Sequence, residues 1–200
     1  MNAVPGTAGY AAEADELAVR YESFSFEETH RGVLKVLPVS GRVLDIGAGT
    51  GRDAAGFVAL GHDVLAVEPT AEMRAHGQRL HPDPRITWLD DSLPDLVHVR
   101  ARGERFPIVM LTAVWMHLDE VERGIAMPHV AGLVAPGGCL SLSLRHGPVP
   151  PGRRMFDIGV DETLALAAPF GLTELFRRDG TRDALRRGDV TWSRLVMRKA

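Results

Sequence analysis

One stretch of this chain is built for ligand chemistry: Arg42-Val43-Leu44-Asp45-Ile46-Gly47-Ala48-Gly49-Thr50-Gly51-Arg52-Asp53. A short apolar run, Val43 to Ile46, ends in glycines spaced G-x-G-x-G, and an Ala-rich amphipathic segment follows at once. That order of residue types reads as strand, tight turn, helix, the place where an α/β protein binds a nucleotide-like ligand. Glycine permits the sharp turn, and the missing Cβ lets a ligand approach the backbone. The helix that follows presents unpaired N–H groups to a carboxylate or phosphate. A dinucleotide fingerprint wants its third small residue at position 52. Arg52 stands there, and the third glycine comes one residue early, at Gly51. Asp45 sits two residues before the first glycine, at the end of a strand expected to be buried. A negative charge at that point repels a pyrophosphate and suits an ammonium. The ligand so described has an amino-acid end and a nucleoside end.

Further carboxylates extend the pattern. Glu68, followed by Pro69, lies 21 positions after Gly47 at the end of the second expected strand. Nucleotide folds place an acid there to accept hydrogen bonds from ribose hydroxyls. Asp90 and Asp91 follow the third expected strand, just ahead of Ser92. Together these residues resemble the class I S-adenosylmethionine-dependent methyltransferases, over roughly residues 40 to 145. The resemblance implies that Asp45, Gly47, Ala48, Gly49 and Gly51 hold the methionine end of S-adenosylmethionine, and Glu68 with Pro69 the ribose. It implies that an acid after the third strand receives the adenine amino group. Asp90 is favoured for this, with a backbone N–H offered by the next residue, Asp91 or Ser92. The alternative is that one of the two acids caps the segment starting at Ser92. It also brings Ala113, after the fourth strand, and Tyr21, from an amino-terminal lid, against the cofactor.

The loop Ala113-Val114-Trp115-Met116-His117-Leu118-Asp119 should face the reacting methyl, because open α/β sheets bind ligands beyond the carboxyl ends of their strands. It lacks the acid or Asn followed by Pro-Pro-aromatic that DNA and amide-nitrogen methyltransferases carry. That argues against DNA or protein glutamine as acceptor. His117 is a candidate general base near neutral pH, or else a cap for the following helix. Trp115 is a core residue or a ring against the substrate. Arg145 is a candidate bidentate partner for a substrate carboxylate or phosphate, and His146 a second candidate base. Arg153, Arg154 and Met155 extend that wall. The expected reaction is methyl transfer to an O, N, S or C nucleophile of a small molecule, releasing S-adenosylhomocysteine. Two other readings stand beside it: an NAD(P)-dependent oxidoreductase, and a binding protein for S-adenosylmethionine without catalysis.

These residues need a scaffold, and the chain alternates accordingly. Helical spacing over 8–24 and 26–37 predicts an amino-terminal lid spanning 1–38. The remainder, 40–200, reads as a Rossmann-like core in one domain of 200 residues. Strands are expected at Val43–Ile46, Asp63–Val67, Arg85–Leu89, Ile108–Val114 and Cys139–Leu144. Helices are expected over Arg52–Leu60, from an N-cap at Thr70 through Leu80, over Leu118–Val134 and over Asp161–Phe170. Leu172–Arg177 and Val190–Arg198 are expected to pair antiparallel at the sheet edge. The fold class is therefore α/β: a three-layer α/β/α sandwich around a mostly parallel twisted sheet of about seven strands.

Composition sets the outer bounds. A hydrophobic content of 45% and a charged content of 24% are ordinary for a soluble globular protein. The formal net charge of −3 gives no electrostatic reason to expect nucleic acid or an anionic membrane. Cys139 is the lone cysteine, so no intrachain disulfide or multi-cysteine zinc site is expected, and no clustered ligands suggest a metal. No signal peptide pattern opens the chain, and the apolar run from Ile108 to Met116 is far too short to span a bilayer. A cytoplasmic location is the default expectation, and the sequence assigns no oligomeric state. Arg177, Arg178, Arg182, Arg186 and Arg187, interleaved with Asp179, Asp183 and Asp189, read as a solvated, self-paired loop.

Overall fold

The computed structural model describes residues 4–200. Its centre is a seven-stranded sheet of β1 (Val43–Ile46), β2 (Val64–Val67), β3 (Ile86–Leu89), β4 (Phe106–Leu111), β5 (Val134–His146), β6 (Leu172–Arg182) and β7 (Thr191–Lys199). The order across the sheet is β3-β2-β1-β4-β5-β7-β6. β1 to β5 run parallel, and β7 is antiparallel to both β5 and β6. The reversed strand thus lies one place in from the edge.

The inner strands are continuous apolar runs because both of their faces are covered. Leu44, Ile46, Leu65, Val67, Val109 and Leu111 pack on the side of α6 (Glu120–Leu133) and α7 (Val160–Ala167). Val43, Val64, Ala66, Ile108 and Met110 pack on the side of α2 (Phe26–His30) and α3 (Arg52–Ala59). Alternation along β1 puts Asp45 on the same side as Val43, at the carboxyl end of the strand. The remaining helices are α1 (Ala14–Tyr21), α4 (Ala71–Leu80) and α5 (Val97–Ala101).

Several expected boundaries move, each for a local reason. The helix read over 8–24 is regular only in α1, with turns before it. The one read over 26–37 breaks after α2 and continues as a short 3-10 turn, Val33–Lys35, with Gly32 at the break. β4 stops at Leu111, because Ala113 takes a left-handed φ of 60° and turns the chain out of the sheet. The short helix α5 carries no apolar periodicity long enough to read. β5 starts at Val134, so Pro136-Gly137-Gly138 lies in an irregular entry to the strand, with a register shift against β4. Thr70 stands at the N-cap position of α4 without a side-chain cap bond.

One packing contact sets how α4 meets β3. The Trp88 ring lies against Gly77 in mid-helix, where an added Cβ would come within 2.2 Å of the ring. On an exposed helix, Gly→Ala gains about 1 kcal/mol. Gly77→Ala should instead lose about 1–3 kcal/mol through overpacking, read as a lower urea midpoint with an unchanged slope. A raised midpoint would show that Trp88 yields freely.

Candidate active site

The strand order reverses between β1 and β4, the crevice in which open α/β sheets bind ligands. A cavity of about 310 Å³ opens there, floored by the carboxyl ends of the strands. Its wall nearest β1 is acidic. Asp45 is 2% exposed, and its Oδ2 has no hydrogen-bond partner among the described residues. Burial pushes the Asp45 carboxyl well above the usual range, and the nearby Asp53 charge adds to this.

Glu68 ends β2 and faces the same space. Its Oε2 accepts from Gly49 N–H at 2.9 Å and its Oε1 from Thr70 N–H at 2.8 Å. Burial raises its carboxyl against these two donors. The glycine turn is bound inward as well. Gly47 and Ala48 N–H donate to the Val67 carbonyl at 2.7 and 3.0 Å, and Gly51 N–H to the Ala48 carbonyl at 2.9 Å. With Gly49 donating to Glu68, the N–H groups of Gly47, Ala48, Gly49 and Gly51 are all committed within the protein. At these four positions the turn gives shape and close approach and no free donor. Gly47 has φ 73°, and a Cβ there would meet Val114 at 2.4 Å.

Asp53 opens α3 and bonds His30 Nε2 at 2.7 Å and Arg52 Nη2 at 2.6 Å. Burial alone would raise this carboxyl, but His30 and Arg52 outweigh it and hold it far below the usual range. The amino-terminal segment roofs the cavity with Tyr10, Leu17 and Tyr21. It is tied down on one side by Thr50 Oγ1 donating to Glu22 at 2.6 Å. On the other side Arg153 donates to Glu13 Oε2 at 2.7 Å and lies 4.4 Å from the centre of the Tyr10 ring.

His117 lies in a 3-10 turn, Trp115–His117, after β4 and faces the cavity. Its Nδ1 sits 2.9 Å from the Arg154 carbonyl, an acceptor only, so Nδ1 carries the proton. Nε2 then holds the lone pair and accepts from the Tyr10 hydroxyl at 3.1 Å. Burial, reinforced by the Arg153, Arg154 and Arg145 charges, holds the ring below the usual histidine range despite the Arg154 carbonyl. The cap of α6 is a different residue: Asp119 and Glu122 form a reciprocal capping box.

Asp45, Gly47, Ala48, Gly49, Glu68, Pro69, Asp91, Ser92, Ala113, Tyr21, His117 and Arg145 all line the cavity. Four expected site residues do not. Gly51 is the left-handed N-cap of α3 and packs against Trp88. Asp90 is exposed and pairs with Arg74 at 2.8 Å, so the acid at the cavity is Asp91, whose oxygens accept from Ser92 and Val99 N–H. Trp115 is fully buried in the core. His146 alternates to the other face of β5 from Arg145, where it bonds Asp157 and Ser193 at 2.7 and 2.9 Å.

Arg153 and Met155 line the wall as expected, whereas Arg154 stands behind it and pairs with Asp119 and Glu122. The expected basic loop is self-paired through Arg177–Asp179 and Arg187–Asp183, but Asp183 is buried and faces the cavity with Arg187. Arg194, on β7, also lines it and was not legible as a site residue. Ser143, Arg145 and Arg194 share one face of β5 and β7, but other polar residues in both strands hide that parity in the sequence. No group of three or more His, Cys, Asp or Glu side chains comes together as a metal site among the described residues. No helix is long and apolar enough to cross a membrane among them.

Comparison with known proteins agrees with this geometry. Residues 43–138 match the methyltransferase domain family. An uncharacterised methyltransferase of Mycobacterium tuberculosis is 33% identical over 115 residues, covering 54% of this chain and 41% of that protein. The chain thus aligns with less than half the length of this curated relative. A methyltransferase of Methanosarcina mazei superposes with a TM-score of 0.69 at 13% identity, covering 84% of this chain and 96% of that one. The 1,6-didemethyltoxoflavin-N1-methyltransferase of Burkholderia thailandensis, solved with that substrate and S-adenosylhomocysteine, superposes with a TM-score of 0.64 at 21% identity, covering 100% and 92%. Residues 43–138 thus match a methyltransferase domain, and the chain has the fold of the solved S-adenosylmethionine-dependent methyltransferases.

The Asp53 cluster gives a stability test. Asp53→Ala strands a buried His30 and a half-buried Arg52, which should cost about 3–5 kcal/mol in urea unfolding at neutral pH. Because the folded carboxyl is depressed, its contribution is present above the unfolded value near about pH 4 and lost as pH falls below it. The gap between wild type and Asp53→Ala should therefore narrow in acid. A constant gap would place the effect in packing alone.

Proposed function

We propose that this chain transfers a methyl group from S-adenosylmethionine to a nucleophile on a small molecule. The observation that carries this reading is the orphaned, buried Asp45 carboxylate beside a glycine turn whose N–H groups are already committed. That site wants a cation and has no use for a pyrophosphate, which separates it from an NAD(P) site. Asp45 takes the ammonium of the methionine end, and Gly47 to Gly49 allow close approach. Glu68 offers its remaining lone pairs to the ribose hydroxyls, with Pro69 beside it. Asp91 and Ser92 face the adenine. Ala113 and Tyr21 close the remaining sides, with the amino-terminal segment as lid. When bound, the cofactor supplies an activated methyl on a sulfonium.

The protein's part is alignment, exclusion of water and a place for a proton. His117 Nε2 is unprotonated at neutral pH, and it takes the proton from the nucleophile once the nucleophile replaces the Tyr10 hydroxyl that Nε2 accepts from. The Arg154 carbonyl keeps the ring in the tautomer that leaves Nε2 basic. The small-molecule acceptor is supported by the size of the cavity, about 310 Å³, and by the similar Burkholderia structure, which holds 1,6-didemethyltoxoflavin.

S-adenosylhomocysteine should bind at roughly micromolar affinity, about −8 kcal/mol, by calorimetry, with no comparable signal from NAD. Asp45→Asn should weaken it about tenfold or more, since a charged hydrogen bond is worth about 1.5–3 kcal/mol. NAD binding in place of S-adenosylhomocysteine would overturn the assignment. On a methylated acceptor found by mass spectrometry, turnover should rise with pH to a plateau, with a midpoint below about 6.5. His117→Ala should lower kcat by roughly a hundredfold while leaving S-adenosylhomocysteine affinity nearly intact. Full turnover in that variant would remove His117 as the base and leave alignment and water exclusion as the catalysis. Binding without turnover on any acceptor would favour a protein that binds the cofactor only.

A further inference from the structure

Six arginines line the cavity, and four of them have carboxylate partners. Arg145 and Arg194 form no ion pair among the described residues. Arg145 is 5% exposed, and its Nη1 and Nη2 donate to the neutral carbonyls of Gly147 and Pro148 at 3.1 and 2.8 Å. Its Nε is buried with no partner. Arg194 has only the Trp192 ring beneath it, 5.7 Å away, and burial pulls it down to about 10. The two lie together. Arg145 pairs in register with Trp192 and Ser143 with Arg194, so strand parity brings both guanidiniums to one face of β5 and β7. Asp53 and Asp183 act on Arg194, and Asp183, Asp189 and Asp157 on Arg145, without forming an ion pair with either. Burying a cation with no carboxylate in contact is costly, and the missing contact is most simply a ligand's.

We propose that the methyl acceptor is an anion, held through a carboxylate or phosphate oxygen by Arg145 and Arg194. The proposal rests on the methyltransferase reading. The cofactor's own carboxylate is the rival, and sheet order argues against it. In that reading the cofactor runs from Asp45 on β1 past Glu68 on β2 toward Asp91 beyond β3. β5 and β7 lie two and three strands away in the opposite direction, about 10 and 14 Å across the sheet. These are backbone separations, part of which the guanidiniums span, but both arginines rise from strands on the acceptor side of the cavity, and the variants below tell the two carboxylates apart.

The test uses the full chain at fixed ionic strength. S-adenosylhomocysteine is titrated first. Benzoate, phenyl phosphate and uncharged benzamide are then titrated into the loaded protein. One of the anions should bind at least tenfold more tightly than benzamide, and the tighter one identifies the oxyanion. Arg145→Met and Arg194→Met should each erase most of that preference while S-adenosylhomocysteine affinity stays within about threefold. Arg145→Lys, which keeps the charge and loses the Nε donor, should keep part of it. Cofactor binding without any anion preference overturns the proposal alone. Equal losses of S-adenosylhomocysteine and anion binding in Arg145→Met overturn it in favour of the cofactor carboxylate. No S-adenosylhomocysteine binding to the wild type overturns the methyltransferase reading and the proposal with it. The wild-type comparison needs no variant to fold.

Discussion

The structure is organised around three carboxylates, Asp45, Asp53 and Glu68, buried together at one end of the sheet. Removing a carboxylate from water is expensive unless something replaces the water. The three solve this differently. Glu68 is met by two backbone N–H groups, Asp53 by an imidazole and a guanidinium, and Asp45 keeps one oxygen without a partner. The first solution fixes the glycine turn, because the Gly49 N–H that satisfies Glu68 can do so only if the chain folds back over β2. The second fixes the amino-terminal segment, because His30 comes from α2. Only the third leaves a charge for a ligand to satisfy.

The roof of the cavity is therefore not an independent appendage. His30, Glu22 and the Tyr21 carbonyl reach down to Asp53, Thr50 and Arg52. Glu13 and the Ala8 carbonyl hold Arg153 from the opposite wall. The lid is anchored to the groups that shape the glycine turn on one side and to the acceptor wall on the other. The exposed Asp15–His76 contact adds little to this anchoring.

Where the sequence was legible, the signal was local. The strand, the glycine spacing and the acid two residues ahead lie within a single stretch, and Asp45, Gly47, Gly49 and Glu68 sit where the spacing puts them. Errors came where parity or a turn decides direction. Arg145 and His146 are adjacent, and a strand sends adjacent side chains to opposite faces, so only one can meet the cavity. Asp90 and Asp91 divide in the same way. Trp115 and His117 share a 3-10 turn, which sends the indole inward and the imidazole to the site. Gly51 is required by a left-handed N-cap against Trp88 and not by a ligand, a demand identical in sequence to the one at Gly49. Arg194 is brought in by the antiparallel pairing of β7 with β5, and Asp183 follows β6, which pairs with β7 in turn, registers that no local pattern announces.

The proposed base shows how far such positioning reaches. His117 is useful only if Nε2 is the bare nitrogen, and nothing on its own turn ensures that. The Arg154 carbonyl does, by accepting from Nδ1. Arg154 is held in turn by the His117 carbonyl, Asp119 and Glu122. Asp119 and Glu122 are also the capping box of α6, so the groups that begin a core helix also lock the tautomer of a cavity residue. The coupling is economical because α6 packs against the strands that carry the site. The capping residues belong to the site by this route, although only Glu122 of the pair lines the cavity.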